Sequence, residues 1–131
     1  MTKRKVLIVD DDPDDRELIR NALLECEQSI QIAELDDGSA VIGYLDTHPT
    51  PSFLIVDLNM PVMNGFETLQ EIRTNKKYVS LPVFIFTTSS SIRDKQHCIR
   101  LGATDVFVKP PSYAAWVDMM CGLVETKNVL K

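Results

Sequence analysis

Five short apolar runs recur along the chain, and they constrain its fold more than any other feature. Most are nearly continuous and rich in Val, Ile or Phe, which is typical of strands buried on both faces of a parallel sheet. The runs are Val6–Val9, Ile30–Leu35, Phe53–Val56, Val83–Phe86 and Val106–Val108. The segments between them have the periodicity of helices. This alternation predicts an α/β domain with a doubly wound, five-stranded parallel sheet.

The second run differs from the others, because Gln31 and Glu34 interrupt it. Such interruptions are typical of a strand at the edge of a sheet. Helix starts are also marked. Asp12 fits an N-cap, and Asn64 with Glu67 has the spacing of a capping box. These signals together predict a flavodoxin-like (βα)5 architecture.

The length of 131 residues predicts one domain over residues 1–131, with a core from about 5 to 127 and no output domain. No apolar run approaches the roughly 18 residues that a membrane span needs, and the N-terminus lacks the pattern of a signal peptide. A net charge of −5 argues against nucleic-acid binding, which needs a basic patch. We therefore expect a cytoplasmic protein with no membrane or nucleic-acid partner.

The acidic side chains are concentrated at one place. Five of the 19 Asp and Glu residues lie between Asp10 and Asp15, and the remaining 14 balance the 14 Lys and Arg residues. The mutual repulsion of this cluster must be offset either by the start of a helix or by a bound cation.

The chain has three widely spaced cysteines, Cys26, Cys98 and Cys121, and none belongs to a C-x-x-C pair. The spacing indicates neither a zinc site nor a redox dithiol. All three lie in segments predicted as helices. We therefore expect small buried thiols in a reducing cytosol.

Residues able to support chemistry follow four of the five predicted strands. Asp10 and Asp11 follow the first, Asp57 the third, Thr87 the fourth and Lys109 the fifth. Ligands of a parallel sheet bind beyond the carboxyl ends of its strands. Each residue alone has an ordinary explanation, since acids cap helices and Lys is common on surfaces. Their arrival at one edge of the sheet favours a functional site.

Such a set supports a narrow range of reactions. Grouped carboxylates are hard oxygen ligands that suit Mg²⁺, which keeps some waters and leaves positions for phosphate oxygens. Lys109 and the Thr87 hydroxyl can hold other phosphoryl oxygens, and Asp57 can be the nucleophile that forms an aspartyl phosphate. The sequence has neither a Gly-rich P-loop nor a Gly-flanked nucleophilic Ser, which argues against Walker-type NTP binding and acyl transfer.

The order and spacing of these motifs resemble a two-component response-regulator receiver domain of the stand-alone, chemotaxis-type architecture. The resemblance extends from about Val6 to the last helix. It rests on Val9-Asp10-Asp11, Asp57-Leu58-Asn59-Met60-Pro61 with Met63 and Gly65, Thr87, and Lys109-Pro110. It implies that a histidine kinase or histidine phosphotransfer protein donates a phosphoryl group in the presence of Mg²⁺. It also implies signalling by contact with a downstream protein, with only weak self-catalysed phosphotransfer and autodephosphorylation instead of enzyme activity.

The resemblance further implies a role for each site residue. Asp57 is similar to the phosphoacceptor, Asp11 to the direct metal-ligand acid and Asp10 to the acid that holds metal-bound water. The Asn59 carbonyl resembles the third protein ligand of the metal, and Thr87 and Lys109 resemble the groups that meet the phosphoryl oxygens. The Lys109-Pro110 bond is similar to a cis peptide of the family.

The sequence departs from the family pattern at three positions. Asp12 adds an acid after the usual pair, and an N-cap explains it better than a metal ligand. Val106 stands where receivers often carry Tyr or Phe, which removes the usual aromatic switch, and alternation points Phe107 to the opposite face. Pro111 stands where the family often has an aromatic residue, so the loop before the fifth helix is expected to differ.

Two other interpretations are open. A phosphatase of the haloacid-dehalogenase type would use Asp10 as nucleophile and Asp12 as acid/base, but it would leave Asp57 without a role and lacks a later acidic pair. A degenerate receiver that acts only as a scaffold is disfavoured, because every phosphorylation residue is present.

The fifth helix is predicted from Tyr113 to about Lys127 and is apolar on most of its surface. One stripe, expected to face the sheet, consists of Val117, Met120, Cys121 and Val124. A second stripe consists of Trp116, Met119 and Leu123. The second stripe either packs within the chain or forms a partner surface. A homodimer through the fourth helix, fifth strand and fifth helix is one such use.

Overall fold

The structure, a computed structural model, describes the backbone of residues 4–130 and the side chains of residues 4–125. Five strands alternate with five helices. The strands are β1 Lys5–Val9, β2 Gln31–Leu35, β3 Phe53–Asp57, β4 Val83–Thr87 and β5 Asp105–Val108. The helices are α1 Pro13–Cys26, α2 Val41–Thr47, α3 Gly65–Thr74, α4 Ile92–Leu101 and α5 Tyr113–Leu130.

All five strands are parallel, in the order β2-β1-β3-β4-β5. The doubly wound, flavodoxin-like sheet is therefore confirmed, and β2 lies at an edge as predicted. The chain changes direction across the sheet between β1 and β3. A crevice opens at such a switch point, beyond the carboxyl ends of the strands.

Helices cover both faces of the sheet, and alternation along each strand supplies two apolar cores. In β1, Leu7 and Val9 belong to the core beneath α2, α3 and α4, while Val6 and Ile8 belong to the core beneath α1 and α5. Val106 and Phe107 point to these opposite cores, as strand alternation predicted. Within the described part of the chain, no helix is long and apolar enough to cross a membrane.

The predicted helix starts are confirmed. The Asp12 carboxylate caps α1 by accepting the N–H of Asp14 at 2.9 Å. Asn64 and Glu67 form a reciprocal capping box at the start of α3. A Cβ atom at Gly65 would lie 2.7 Å from the Cα of Leu58. A glycine is required here because α3 begins directly against the chain that leaves β3.

The predicted facing of α5 was right for only part of the stripe. Trp116 is only 3% exposed and stacks on Phe86 of β4, with ring centroids 5.6 Å apart. Among the side chains of α5 that the structure describes, the buried ones are Trp116, Met120, Leu123 and Val124, so the predicted stripe supplies two of the four. Because α5 is apolar nearly all round, its sequence gives little indication of which face meets the sheet. Trp116 and Leu123 therefore supply core packing and do not form a partner surface.

The cysteine prediction was wrong for two of the three residues. Cys26, the last residue of α1, forms a disulfide with Cys121 of α5, with Cα atoms 5.2 Å apart. The two helices pack side by side on one face of the sheet. Because the two cysteines are 95 positions apart in the sequence, only the tertiary structure shows that they are close enough to form a bond. Cys98 is a buried free thiol, as predicted, and burial raises its pKa to about 11.

Candidate functional site

Three acids that follow β1 and β3 meet at the switch point. Asp10 and Asp57 are 1% and 5% exposed, while Asp11 faces solvent. Each offers a carboxylate oxygen, and these oxygens lie within 4.8 Å of one another. The structure therefore brings together the three acids that were predicted to meet at the strand ends.

Lys109 reaches this cluster from the end of β5. Its Nζ lies 3.1 Å from Asp10 Oδ2 and 3.3 Å from Asp57 Oδ1. Its backbone N–H donates to the Thr87 carbonyl at 2.8 Å, which joins the ends of β4 and β5. The peptide bond to Pro110 is trans, so the expected cis bond is corrected. A trans bond, the form with the lower intrinsic energy, already lets the Lys109 side chain reach both acids.

Thr87 ends β4 and Asn59 follows β3, so both come to the edge of the sheet at which the acids meet. The Thr87 side chain is 2% exposed, and its Oγ1 accepts the N–H of Ser89 at 3.0 Å. Asn59 is exposed, and its backbone N–H donates to Asp57 Oδ1 over a long 3.4 Å. The backbone of Asn59 is thus adjacent to the acceptor carboxylate.

Burial and mutual repulsion make the acids hold protons more tightly. Burial, reinforced by the negative charge of Asp10, raises the pKa of Asp57 to about 6, although Lys109 opposes the shift. Burial also raises the pKa of Asp10. For Lys109, burial favours the neutral form, but the contacts with Asp15, Asp10 and Asp57 prevail and raise its pKa. One ammonium therefore does not fully neutralise the carboxylates around it.

The raised pKa predicts how stability depends on pH. Without a divalent cation, the folded chain keeps the Asp57 proton up to about pH 6, whereas the unfolded chain releases it near pH 3.8. The folded state binds more protons in this window, so the contribution of Asp57 to the free energy of unfolding falls as pH rises. The free energy of unfolding of Asp57→Asn, relative to that of wild type, should therefore rise by at most about 3 kcal/mol as the pH increases from about 4 to 7. Urea unfolding in chelator checks this, and parallel pH profiles for the two proteins contradict it.

The donor set fits Mg²⁺ on chemical grounds. Its three carboxylates are hard oxygen donors, two of them are buried, and their oxygens are close enough to share one ion. A small cation would relieve the repulsion from Asp10, which adds to the effect of burial in raising the pKa of Asp57. So few protein ligands also leave positions for water, which Mg²⁺ retains.

Comparison with known proteins decides the family. The model of the response regulator receiver domain matches residues 6–120. The chain belongs to this family. The Chemotaxis protein CheY homolog of Campylobacter jejuni is 31% identical over 106 residues, which cover 81% of each protein. Receiver domains act in two-component signalling, interact with histidine kinases or phosphotransfer proteins, and bind Mg²⁺ or Mn²⁺ at an acidic site.

Solved structures show the same receiver fold. The phosphorylated cyanobacterial phytochrome response regulator RcpA superposes with a TM-score of 0.90 at 24% identity, covering 99% of this chain and 97% of that one. The Mn²⁺-bound form of response regulator Rcp1 gives a TM-score of 0.81 at 26% identity, covering 92% and 91% of the two chains.

The phosphatase interpretation is not supported. The family is that of receivers, and Asp12, its intended acid/base, is exposed and occupied as the cap of α1. Asp57, for which a phosphatase has no use, lies instead within the cluster of acids.

Sequence reasoning missed two residues of the site. Asp15 lies 2.6 Å from Lys109 Nζ, and Arg16 donates to the Asp10 carbonyl at 2.6 Å. Both come from the first turn of α1 and not from a strand end. Asp15 lies three residues after the cap Asp12, and side chains in a helix tilt toward its N-terminus. The spacing of three residues from the cap was the feature of the sequence that could have placed Asp15 at this end of the helix, near the site.

Proposed function

We propose that Asp57 accepts a phosphoryl group from the phosphohistidine of a histidine kinase or phosphotransfer protein. The observation that carries this is the meeting of the buried Asp57 carboxylate with Lys109 and two further acids. A carboxylate oxygen of Asp57 bonds to phosphorus as the bond from phosphorus to the imidazole nitrogen breaks. The electron pair of the broken bond stays on the donor's imidazole.

The surrounding residues have separate tasks in this proposal. Asp11, Asp57 and the Asn59 carbonyl would hold Mg²⁺, and Asp10 would hold a water molecule beside it. When bound, Mg²⁺ supplies positive charge that stabilises the phosphoryl oxygens. Lys109 contacts one phosphoryl oxygen through its ammonium, and the Thr87 hydroxyl donates to another. Beyond phosphotransfer to itself and slow loss of the phosphoryl group, we propose no enzyme activity.

Intact-mass measurement tests the proposal. The chain is incubated with acetyl phosphate and Mg²⁺, and separately with a phosphorylated histidine phosphotransfer protein. We expect a gain of one phosphoryl group in both cases and no sustained turnover of an aryl phosphate. An unchanged mass with both donors contradicts the proposal, and continuous release of phosphate from the aryl ester supports a phosphatase instead.

Mg²⁺ should raise the melting temperature of the receiver domain. A ligand that binds only the folded state stabilises it, and millimolar Mg²⁺ at a site of millimolar affinity contributes about 0.5–1 kcal/mol, or a few degrees. Asp11→Asn should remove most of the shift, whereas Asp12→Asn, which changes the neighbouring cap, should keep it. A melting curve that is indifferent to Mg²⁺ contradicts the assigned ligands.

The output is proposed to pass from Thr87 to α4. Three hydrogen bonds link these elements in series: Thr87 Oγ1 accepts the Ser89 N–H, Ser89 Oγ accepts the Ser91 N–H, and Ser91 Oγ caps α4 at Asp94. A Thr87 hydroxyl drawn toward a phosphoryl group moves this loop and shifts α4. Val106 has no aromatic ring to swing inward, so the loop is the coupling element.

The surface moved by this loop is the proposed contact surface. Ile92 of α4 is 73% exposed, and Ile99 of α4 and Val108 of β5 are also exposed. A downstream protein and a second copy of the chain are the two proposed occupants of this surface. Sedimentation of the phosphorylated chain alone distinguishes them, because only a second copy of the chain makes the sedimentation rate depend on the concentration of the chain.

We place the protein in the cytoplasm, where kinases have access to ATP.

A further inference from the structure

The nearest described partner of Lys109 is neither the proposed phosphoacceptor nor a proposed metal ligand. Its Nζ lies 2.6 Å from Asp15 Oδ2, closer than to Asp10 at 3.1 Å or to Asp57 at 3.3 Å. The side chain of Lys109 is only 11% exposed and that of Asp15 only 23%. This ion pair is therefore shielded from water far better than a surface salt bridge.

Asp15 stands apart from the proposed metal ligands. The three carboxylates that could share an ion are Asp10, Asp11 and Asp57. Asp15 comes from the first turn of α1, which begins at Pro13, so a helix and not a strand end brings its carboxylate to the ammonium. Asp15 can therefore pair with the Lys109 ammonium without acting as a metal ligand.

We infer that Asp15 is a positioning residue that restrains Lys109 and limits the positive charge available to an incoming phosphoryl group. This inference rests on the proposed acceptor role of Asp57. Both a phosphodonor and a phosphoryl group on Asp57 are anionic, so they compete with Asp15 for the same ammonium. Without the Asp15 charge, Lys109 still has Asp10 and Asp57 within 3.3 Å and stays in the site. Asp57 is then phosphorylated faster, so Asp15 limits the rate of phosphorylation in the wild-type chain.

The experiment compares Asp15→Asn with Asp14→Asn. Both variants remove one charge from the first turn of α1, but Asp14 is exposed and no described contact joins its side chain to Lys109. Loading is followed by intact mass with acetyl phosphate and Mg²⁺. We expect Asp15→Asn to raise kcat/KM by about fivefold, the effect of one partly screened charge pair, and Asp14→Asn to change it less than about twofold. Asp15→Glu should restore a rate near wild type.

A double-mutant cycle shows whether Asp15 acts through Lys109. In a Lys109→Met background, Asp15→Asn should change the loading rate no more than Asp14→Asn does. The inference is overturned if the two Asn variants change wild-type loading equally, or if the effect of Asp15→Asn persists without Lys109. Melting curves accompany each variant, and Asp15→Ser replaces Asp15→Asn if the latter does not fold.

A measurement without a phosphodonor separates this inference from the proposed function. In ¹⁵N NMR of the lysine ammonium groups, Lys109 should give a slowly exchanging signal in wild type and Asp14→Asn, and exchange should accelerate in Asp15→Asn. Unchanged exchange in Asp15→Asn overturns the positioning role. A wild-type chain that takes up no phosphoryl group while its NMR signals behave as expected overturns the acceptor role of Asp57 alone.

Discussion

Replacing Asp57 by Asn should abolish the gain of one phosphoryl group from acetyl phosphate and Mg²⁺. The amide is close in shape to the carboxylate, but it lacks the anionic oxygen that bonds to phosphorus. Loss of the acceptor removes the covalent product entirely, so labelling should fall to background instead of slowing by a factor. Intact mass before and after incubation measures this directly.

Two matched variants make the result specific to Asp57. Asp12→Asn removes an acid that only caps α1, and it should keep full labelling. Asp10→Asn should slow labelling while leaving the phosphoryl group on Asp57, because Asp10 lies in the cluster without being the acceptor. Peptide mapping of the labelled protein identifies the residue. Retained labelling of Asp57→Asn, or a phosphoryl group found on Asp10, would contradict the assignment of Asp57 as the phosphoacceptor.

Most of the fold was predictable because its signals are local. Continuous apolar runs mark β1, β3 and β4, whose side chains are buried on both faces, and the polar Gln31 and Glu34 mark the edge strand β2. The caps at Asp12 and Asn64 depend only on residues within one turn. Local chemistry therefore fixes where each element begins, and right-handed crossovers then restrict the topology.

The site was predictable to the extent that it lies at strand ends. Asp10, Asp57 and Lys109 meet because parallel strands end at one edge of the sheet. Asp15 was missed because a helix contributes it, and its approach to Lys109 depends on how α1 packs on the sheet. The position of a side chain on a neighbouring helix is set by tertiary packing.

The same limit explains the errors in α5. Its residues are apolar on most sides, so hydrophobic spacing could not decide between a face centred on Val117 and one centred on Trp116. The packing of Trp116 against Phe86 decides it. The rotation of α5 also determines that Cys121 faces Cys26 on α1, and no local pattern reports that contact.

Opening the bridge between Cys26 and Cys121 should lower the free energy of unfolding by about 2–4 kcal/mol, which is roughly 10 °C in melting temperature. The bridge joins residues 95 positions apart, so it removes many conformations from the unfolded chain. Melting curves with and without dithiothreitol measure the effect. A Cys26→Ala/Cys121→Ala variant supplies the control, because reductant should leave its lower melting temperature unchanged.

Cys98→Ala should keep the sensitivity to reductant, since the Cys98 thiol is buried and unbridged. Thiol titration of the denatured, unreduced protein should find one free thiol, and finding three would contradict the bridge. Loading of Asp57 should change little on reduction, because Cys26 ends α1 while Asp15 lies in its first turn, beside the site. The bridge fastens α5 to α1 on one face of the sheet, and α4 lies on the other. It therefore stabilises the fold without restraining the loop from Thr87 to Ser91 that is proposed to carry the signal.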